Sequence, residues 1–84
     1  MAQYYCDELR HLVCYTYSVE NLHEMASVLG IKRCWYHPSH HGKHYDIPTK
    51  RIDEIKSHPL VKVVSWRVIM HIIKGGEPPS PKTT

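Results

Sequence analysis

The chain has 84 residues, which is enough for one domain with one hydrophobic core and too few for two independent cores. Hydrophobic residues make up 42% of the chain and charged residues 23%, proportions that are typical of a folded domain and argue against a disordered one. The net charge of +3 permits contact with nucleic acid without requiring it, and the eight histidines are the most unusual feature of the composition.

The first part of the chain predicts a strand, a connection and a helix. Residues 1–6 are rich in strand-forming side chains. Residues 9–17 contain apolar side chains without a clear period, so we expect a connection of partly extended character. Ser18 is a suitable N-cap, and apolar side chains then recur at helical spacing over residues 19–29, where Gly30 ends the helix.

The middle of the chain predicts a strand, a loop and a second helix. Residues 31–36 have strand-forming composition, and residues 37–46 lack apolar periodicity and contain one proline and one glycine. We therefore expect a histidine-rich loop over residues 37–46. A second helix is predicted from about residue 48 to His58, and Pro59 ends it.

The last part of the chain predicts a buried strand and a third helix. Residues 60–64 form a nearly continuous apolar run, as in a strand that is covered on both faces. Ser65 precedes a helix whose apolar stripe extends from Trp66 to Ile73, and a pair of glycines ends this helix.

The predicted order of elements is β-α-β-α-β-α, which favours an α/β fold with parallel strands and helical crossovers. We expect a small two-layer or three-layer domain with a short, mostly parallel three-stranded sheet. Residues 1–76 would form this single domain, and residues 77–84 would form a flexible C-terminal tail.

Polar side chains gather where the predicted strands end. In an open parallel sheet, ligands bind beyond the carboxyl ends of the strands. Asp7, Arg10 and His11 follow the first predicted strand, the histidine-rich loop follows the second, and Trp66 follows the third. We therefore expect a small polar site at this edge of the sheet.

The histidine-rich loop offers candidate metal ligands in His37, His40 and His41. Imidazole suits divalent zinc, manganese, iron and nickel, so a bound divalent metal is one interpretation of the loop. The spacing of these histidines matches no established metal motif. The alternative interpretation is a solvated loop without a ligand.

His44 and Asp46 are candidate catalytic groups, because histidine transfers protons near neutral pH and a carboxylate can orient it. Residues two apart on an extended segment do not face each other closely, so His44 would need a partner such as His23 or Asp7. His23 lies at the edge of the apolar stripe of the first helix, where a partly buried structural role is the alternative.

Cations begin the second predicted helix, where they oppose the helix dipole. An anion at this helix terminus would remove the conflict, which makes Lys43, Lys50 and Arg51 candidate phosphate-binding residues. The alternative is that these are solvated side chains on an exposed turn. Tyr45, close in sequence, can stack on a nucleobase.

Three cysteines, Cys6, Cys14 and Cys34, occur without a Cys-x-x-Cys pair. We expect free thiols in a reducing cytoplasm. The chain shows no secretory signal and no apolar stretch long enough to span a bilayer, so no membrane association is expected.

Four short sequence elements occur in a characteristic order over about residues 4–64. They are Tyr-Tyr-Cys-Asp-Glu-Leu-Arg at residues 4–10, Glu-Asn-Leu-His at residues 20–23, Trp-Tyr at residues 35–36, and His-Tyr-Asp at residues 44–46 before a basic Lys-Arg pair. In these elements the chain resembles a bacterial and phage family catalogued as domain of unknown function 4031.

The resemblance directs attention to one set of positions: Asp7, Arg10, His23, His44, Tyr45, Asp46 and Arg51. Family members often carry a His-Met pair and an aspartate shortly before the first helix. This chain has Val13, Cys14 and Tyr17 there, with His11 as the nearest histidine.

Two functions from different classes fit the sequence. The first is a small enzyme that processes phosphodiesters or nucleotides, a candidate nuclease. The alternative is a non-catalytic phage or bacterial accessory module that binds a host protein or nucleic acid, and metal sequestration by the loop is a third hypothesis. For the enzyme, the expected catalytic residues are Asp7, His23, His44, Tyr45 and Asp46, and the expected phosphate-binding residues are Arg10, Lys43, Lys50 and Arg51.

Overall fold

The computed structural model of the protein describes residues 4–39 and 42–78. Its strands and helices, in chain order, are β1 Tyr4–Cys6, β2 His11–Cys14, α1 Val19–Leu29, β3 Tyr36–Ser39, β4 Gly42–Asp46, α2 Ile52–Lys56, β5 Val61–Val63 and α3 Trp66–Ile73. Single 3-10 turns at Arg33–Trp35 and Thr49–Arg51 lead into β3 and α2.

The strands form one mixed, mostly antiparallel sheet in the order β3-β4-β2-β1-β5. The pairs β1/β2, β2/β4 and β3/β4 are antiparallel, and β1/β5 is parallel. The prediction of a short, mostly parallel three-stranded sheet is therefore wrong. Two strands lie in segments where the sequence predicts a connection and a loop.

The first of these strands is β2, within the predicted connection over residues 9–17. Leu12, Val13 and Cys14 are all buried, although they are consecutive and point to alternate faces of the sheet. Both faces are covered, so the alternation of apolar and polar residues that marks a one-sided strand is missing. Asp7 accepts the backbone N–H of His11 and helps to close the β1–β2 turn.

The second is the hairpin of β3 and β4, which replaces the predicted loop over residues 37–46. Its strands pair in register from Tyr36 opposite Tyr45 to Ser39 opposite Gly42. Neither β3 nor β4 contains Val, Ile, Leu or Phe, so the hydrophobic pattern does not indicate strands here. The strand predicted over residues 31–36 is instead a buried Ile31 followed by the 3-10 turn.

Helices cover both faces of the sheet, so the domain has three layers. On β4, Tyr45 points to one face and its neighbours His44 and Asp46 point to the other. The α1 residue His23 contacts Tyr45, whereas the α3 residue Ile73 lies directly against Gly42, on the face of His44. The two helices therefore pack on opposite faces of β2 and β4.

Helix α1 occupies the segment that the sequence predicts. Ser18 accepts the backbone N–H of Asn21, and Gly30 ends the helix in the left-handed conformation at φ 70°. Leu22, Met25, Ala26 and Leu29 form its buried stripe. The remainder of the predicted C-terminal tail, residues 79–84, lies outside the described residues.

Candidate functional site

One edge of the sheet collects the polar groups of several elements. Strands β1, β4 and β5 run in the same direction, so Asp7, Asp46 and Trp66 follow or end strands at this edge. The antiparallel β2 begins here with His11, which lies opposite Asp46 in the β2/β4 pairing. We use the name His–Asp pocket for the site formed by His11, His44 and Asp46.

Asp7 holds His11 in one orientation. Asp7 is only 2% exposed, and Oδ2 of its carboxylate lies 2.6 Å from Nδ1 of His11. Its other oxygen, Oδ1, accepts the backbone N–H groups of Leu9 at 2.9 Å and His11 at 3.1 Å. Since a carboxylate accepts hydrogen bonds, Nδ1 of His11 donates to it and Nε2 is left for another partner.

His44 is oriented in a similar way by a main-chain group. The Gly42 carbonyl oxygen lies 3.0 Å from Nδ1 of His44, and a carbonyl can only accept, so Nδ1 carries the proton. The other ring nitrogen, Nε2, lies 3.2 Å from Oδ1 of Asp46. His44 is 9% exposed, so this contact is largely shielded from water.

The three residues converge on one point. One ligand-type atom from each of His11, His44 and Asp46 lies within 4.8 Å of the other two. Neighbouring rings fix the walls: Trp66 packs on His11 at a centroid distance of 4.5 Å, and His37 stacks on His44 at 5.2 Å. Imidazoles and a carboxylate in this arrangement can move protons or bind a divalent metal.

His11, His44 and Asp46 line a pocket of about 490 Å³. Its polar wall consists of the side chains of His11, His44, Asp46 and His37. Its rim is formed by Leu9, Arg10, Ser39 and Trp66. The pocket is large enough for a small ligand group, such as a phosphate with an attached sugar or base, and remains open to solvent.

His23 and Tyr45, two of the predicted catalytic residues, lie elsewhere. Tyr45 is fully buried, and its hydroxyl lies 2.6 Å from Nδ1 of His23, on the α1 face of the sheet. The Nε–H of Arg33 also points at this nitrogen, at 3.3 Å, so Nδ1 accepts and the Tyr45 hydroxyl donates. Burial raises the pKa of Tyr45, which keeps the hydroxyl protonated for this role.

We expect Tyr45→Phe to lower the free energy of unfolding by about 1 kcal/mol, because one buried hydrogen bond to His23 is lost. Urea denaturation measures this change. The geometry of the His–Asp pocket, on the opposite face, should be unaffected. Altered NMR signals of the His11 and His44 rings in folded Tyr45→Phe would contradict the separation of the two faces.

The candidate phosphate-binding residues are dispersed. Arg10 lies on the rim of the pocket and donates from Nη2 to Oγ1 of Thr49. Arg51 donates to both carboxylate oxygens of Glu54 and to the carbonyl of Gly30, so it fastens α2 to the end of α1. Lys43 and Lys50 are exposed. Of the four, Arg10 is the one that the structure places beside the pocket.

The candidate metal ligands of the histidine-rich segment divide in a similar way. His37 is on β3, opposite His44 in the pairing, and its exposed ring forms part of the pocket wall. His40 and His41 lie outside the described residues.

The sequence places His11 after the first predicted strand, but His11 is not among the expected catalytic residues. The local signal is the spacing Asp7 to His11, four residues that close the tight turn between β1 and β2. Its approach to Asp46 depends on the pairing of β2 with β4, which pattern analysis did not predict.

The cysteines lie away from the chemistry just described. Burial raises the pKa of Cys6 to about 11 and also raises the pKa of Cys14, whereas Cys34 is exposed. A raised pKa keeps a thiol neutral and unreactive at pH 8.

We expect Ellman's reagent to modify one thiol, that of Cys34, rapidly in the folded protein and all three thiols in urea. Rapid modification of a thiol in the folded Cys34→Ser variant would contradict this prediction.

Comparison with known proteins identifies a family. The family model described as "Protein of unknown function (DUF4031)" matches residues 2–74. The chain belongs to this family. The DUF4031 match includes Asp7 and all three residues of the His–Asp pocket. No curated protein and no solved structure matches the chain.

Within residues 4–39 and 42–78, no helix combines the length and the apolar character needed to cross a membrane.

Proposed function

We propose that the protein is a small phosphodiester- or nucleotide-processing hydrolase that acts in the His–Asp pocket. The convergence of His11, His44 and Asp46 in one open pocket supports this proposal most directly. Two imidazoles are each fixed through Nδ1, and Nε2 of His44 lies 3.2 Å from the Asp46 carboxylate. A ring nitrogen of His11 belongs to the same cluster, whose atoms lie within 4.8 Å of one another.

Arg10 supplies the charge that favours a phosphate group. Its guanidinium lies on the pocket rim, and the hydrogen bond to Thr49 uses one of its five N–H donors. Guanidinium groups bind phosphate oxygens with two parallel hydrogen bonds. The net charge of +3 also favours an anionic substrate over a cationic one.

Hydrolysis at this site requires a water nucleophile, a stabilised phosphate and a proton for the leaving group. The water oxygen bonds to phosphorus, the bond from phosphorus to the leaving oxygen breaks, and the proton lost by water passes to a basic group of the pocket. A proton is returned to the leaving oxygen. His37 is suitably placed to donate it, because its exposed ring lines the pocket beside His44.

Hydrolysis of labelled single-stranded and double-stranded DNA and RNA, and of bis(p-nitrophenyl) phosphate, tests the proposal. Each substrate is incubated with the untagged protein, with and without Mg²⁺, Mn²⁺ or Zn²⁺. We expect turnover of at least one substrate and a loss of about 100-fold or more in His44→Ala, because removal of one pocket group disables proton transfer or metal-assisted attack.

His71→Ala is the matched control, since His71 is an exposed histidine of α3 outside the pocket. Its activity should equal that of the unmodified protein. Equal activity in His44→Ala and the unmodified protein would exclude the assigned site. Absence of turnover on every substrate would reject the hydrolase proposal.

A second candidate function is a non-catalytic module that binds a protein or nucleic acid. The exposed apolar groups on the pocket rim favour it: Leu9 is 66% exposed and Trp66 is 44% exposed. Such side chains can contact a partner or stack on a base. Saturable binding of a labelled oligonucleotide, measured by fluorescence anisotropy and lost in Trp66→Ala, together with no turnover would support this function over the hydrolase.

A further inference from the structure

We propose that His11, His44 and Asp46 form a binding site for one divalent transition-metal ion of the zinc type, with two imidazole nitrogens and one carboxylate oxygen as ligands. The proposal depends on geometry alone. It is independent of the substrate, and it can hold even where the hydrolase proposal fails.

The contact between His44 and Asp46 brings two atoms with lone pairs together. Nδ1 of His44 donates to the Gly42 carbonyl, so Nε2 of the neutral ring presents a lone pair. This lone pair lies 3.2 Å from Oδ1 of Asp46, which also presents lone pairs. Two such atoms repel each other unless a proton or a metal cation lies between them.

The distances between the ligand atoms are close to those around a zinc ion. Ligand atoms that lie about 2.0–2.2 Å from a tetrahedral zinc ion are roughly 3.3–3.6 Å apart. The separation of 3.2 Å between His44 and Asp46 is close to this range, and the three ligand-type atoms lie within 4.8 Å of one another. Small side-chain rotations are therefore enough to bring all three around one ion.

Hydrogen bonds at Nδ1 hold both histidines in the tautomer that binds a metal through Nε2. Histidines that bind metals almost always donate their other ring N–H to a carboxylate or a backbone carbonyl, which fixes the tautomer. His11 donates to the carboxylate of Asp7 at 2.6 Å, and His44 donates to the carbonyl of Gly42 at 3.0 Å. Both arrangements leave Nε2 as the ligand atom.

Three protein ligands leave coordination positions toward the open pocket, as in metal sites that bind water or substrate. A His₂-carboxylate set without sulfur suits Zn²⁺, Fe²⁺, Mn²⁺ or Co²⁺. The ring of Trp66 against His11 restricts water on one side of the site. The site is therefore suited to an ion that also binds an exchangeable ligand.

Metal binding by untagged protein that has been treated with a chelator is the direct test. Titration with Zn²⁺ is followed by calorimetry, and titration with Co²⁺ is followed by its visible absorption, which reports coordination number. We expect one ion per chain and a Co²⁺ spectrum of a four- or five-coordinate site.

Two conservative variants, Asp46→Asn and His44→Gln, should each weaken Zn²⁺ affinity by about 100-fold or more, since each removes one ligand. The histidine variant His71→Ala, on the exposed side of α3 and outside the pocket, should bind normally. Circular dichroism verifies that each variant is folded, and two chemically different ligand variants guard against the failure of one to fold.

The opposite results overturn the proposal. One is a Kd for Zn²⁺ weaker than about 1 mM in the unmodified protein, which would assign the space between His44 and Asp46 to a proton. Another is normal affinity in both ligand variants together with loss of binding in a His40→Ala/His41→Ala double variant. That result would assign the metal to His40 and His41.

Discussion

Asp7→Asn is expected to lower Zn²⁺ affinity by about 10- to 100-fold, and the hydrolysis rate with it, although Asp7 is not a ligand. The asparagine oxygen can keep the two backbone hydrogen bonds from Leu9 and His11 that Oδ1 now accepts. Its amide NH₂ then faces Nδ1 of His11 and donates to it. His11 must carry its proton on Nε2, which can no longer bind a metal ion.

The control for this prediction is Glu8→Gln, the same change from carboxylate to amide on the adjacent, exposed residue. It should leave both Zn²⁺ affinity and stability unchanged. Calorimetric titration measures the affinity, and two-dimensional NMR of the His11 ring nitrogens reports the tautomer directly. Normal affinity in Asp7→Asn would show that the Asp7–His11 pair has no part in the site.

Gly42→Ala is expected to lower the free energy of unfolding by about 3 kcal/mol, from backbone strain together with overpacking. Gly42 has φ 139°, a conformation that side-chain-bearing residues rarely adopt. A Cβ atom at this position would overlap Cγ2 of Ile73 on α3. Urea denaturation of the two proteins, with a check for equal slopes, measures the difference.

Gly75→Ala separates the two contributions. Gly75 also has a positive φ, 96°, but no atom lies within 4 Å of a Cβ built there. We expect a cost of about 1–2 kcal/mol from strain alone. Equal losses of stability in the two variants would show that the contact between Gly42 and Ile73 contributes nothing to the packing of α3 on the hairpin.

The elements that could be predicted from sequence are those with local signals. Helix α1 has a capping serine, an apolar stripe and a terminal glycine, and each of these acts within a few residues. The strand β2 has no comparable signal, because it is buried on both faces, by α1 on one face and by α3, which is distant in sequence, on the other. An α/β pattern with two strands omitted resembles a parallel fold, which explains the wrong topology.

The candidate site was predictable in composition but not in arrangement. Asp7 follows the first predicted strand, whereas His44 and Asp46 lie in the loop predicted after the second strand and are candidates for their proton-transfer chemistry. The structure brings all three to one edge of the sheet. Tyr45 points to the other face because side chains alternate along β4, and there it contacts His23 of α1. The direction of a side chain follows from strand register, which the sequence pattern did not reveal.

The placement of the pocket residues on paired strands has a consequence for stability. His11, His44 and Asp46 are held by the β2/β4 and β3/β4 ladders and do not depend on a loop becoming ordered when a ligand arrives. A cation that binds only this folded arrangement adds about 2.7 kcal/mol to the free energy of unfolding at a concentration 100 times its Kd. For a domain of 84 residues, this addition is large relative to a typical total, so the melting temperature would follow the supply of metal in the surrounding solution.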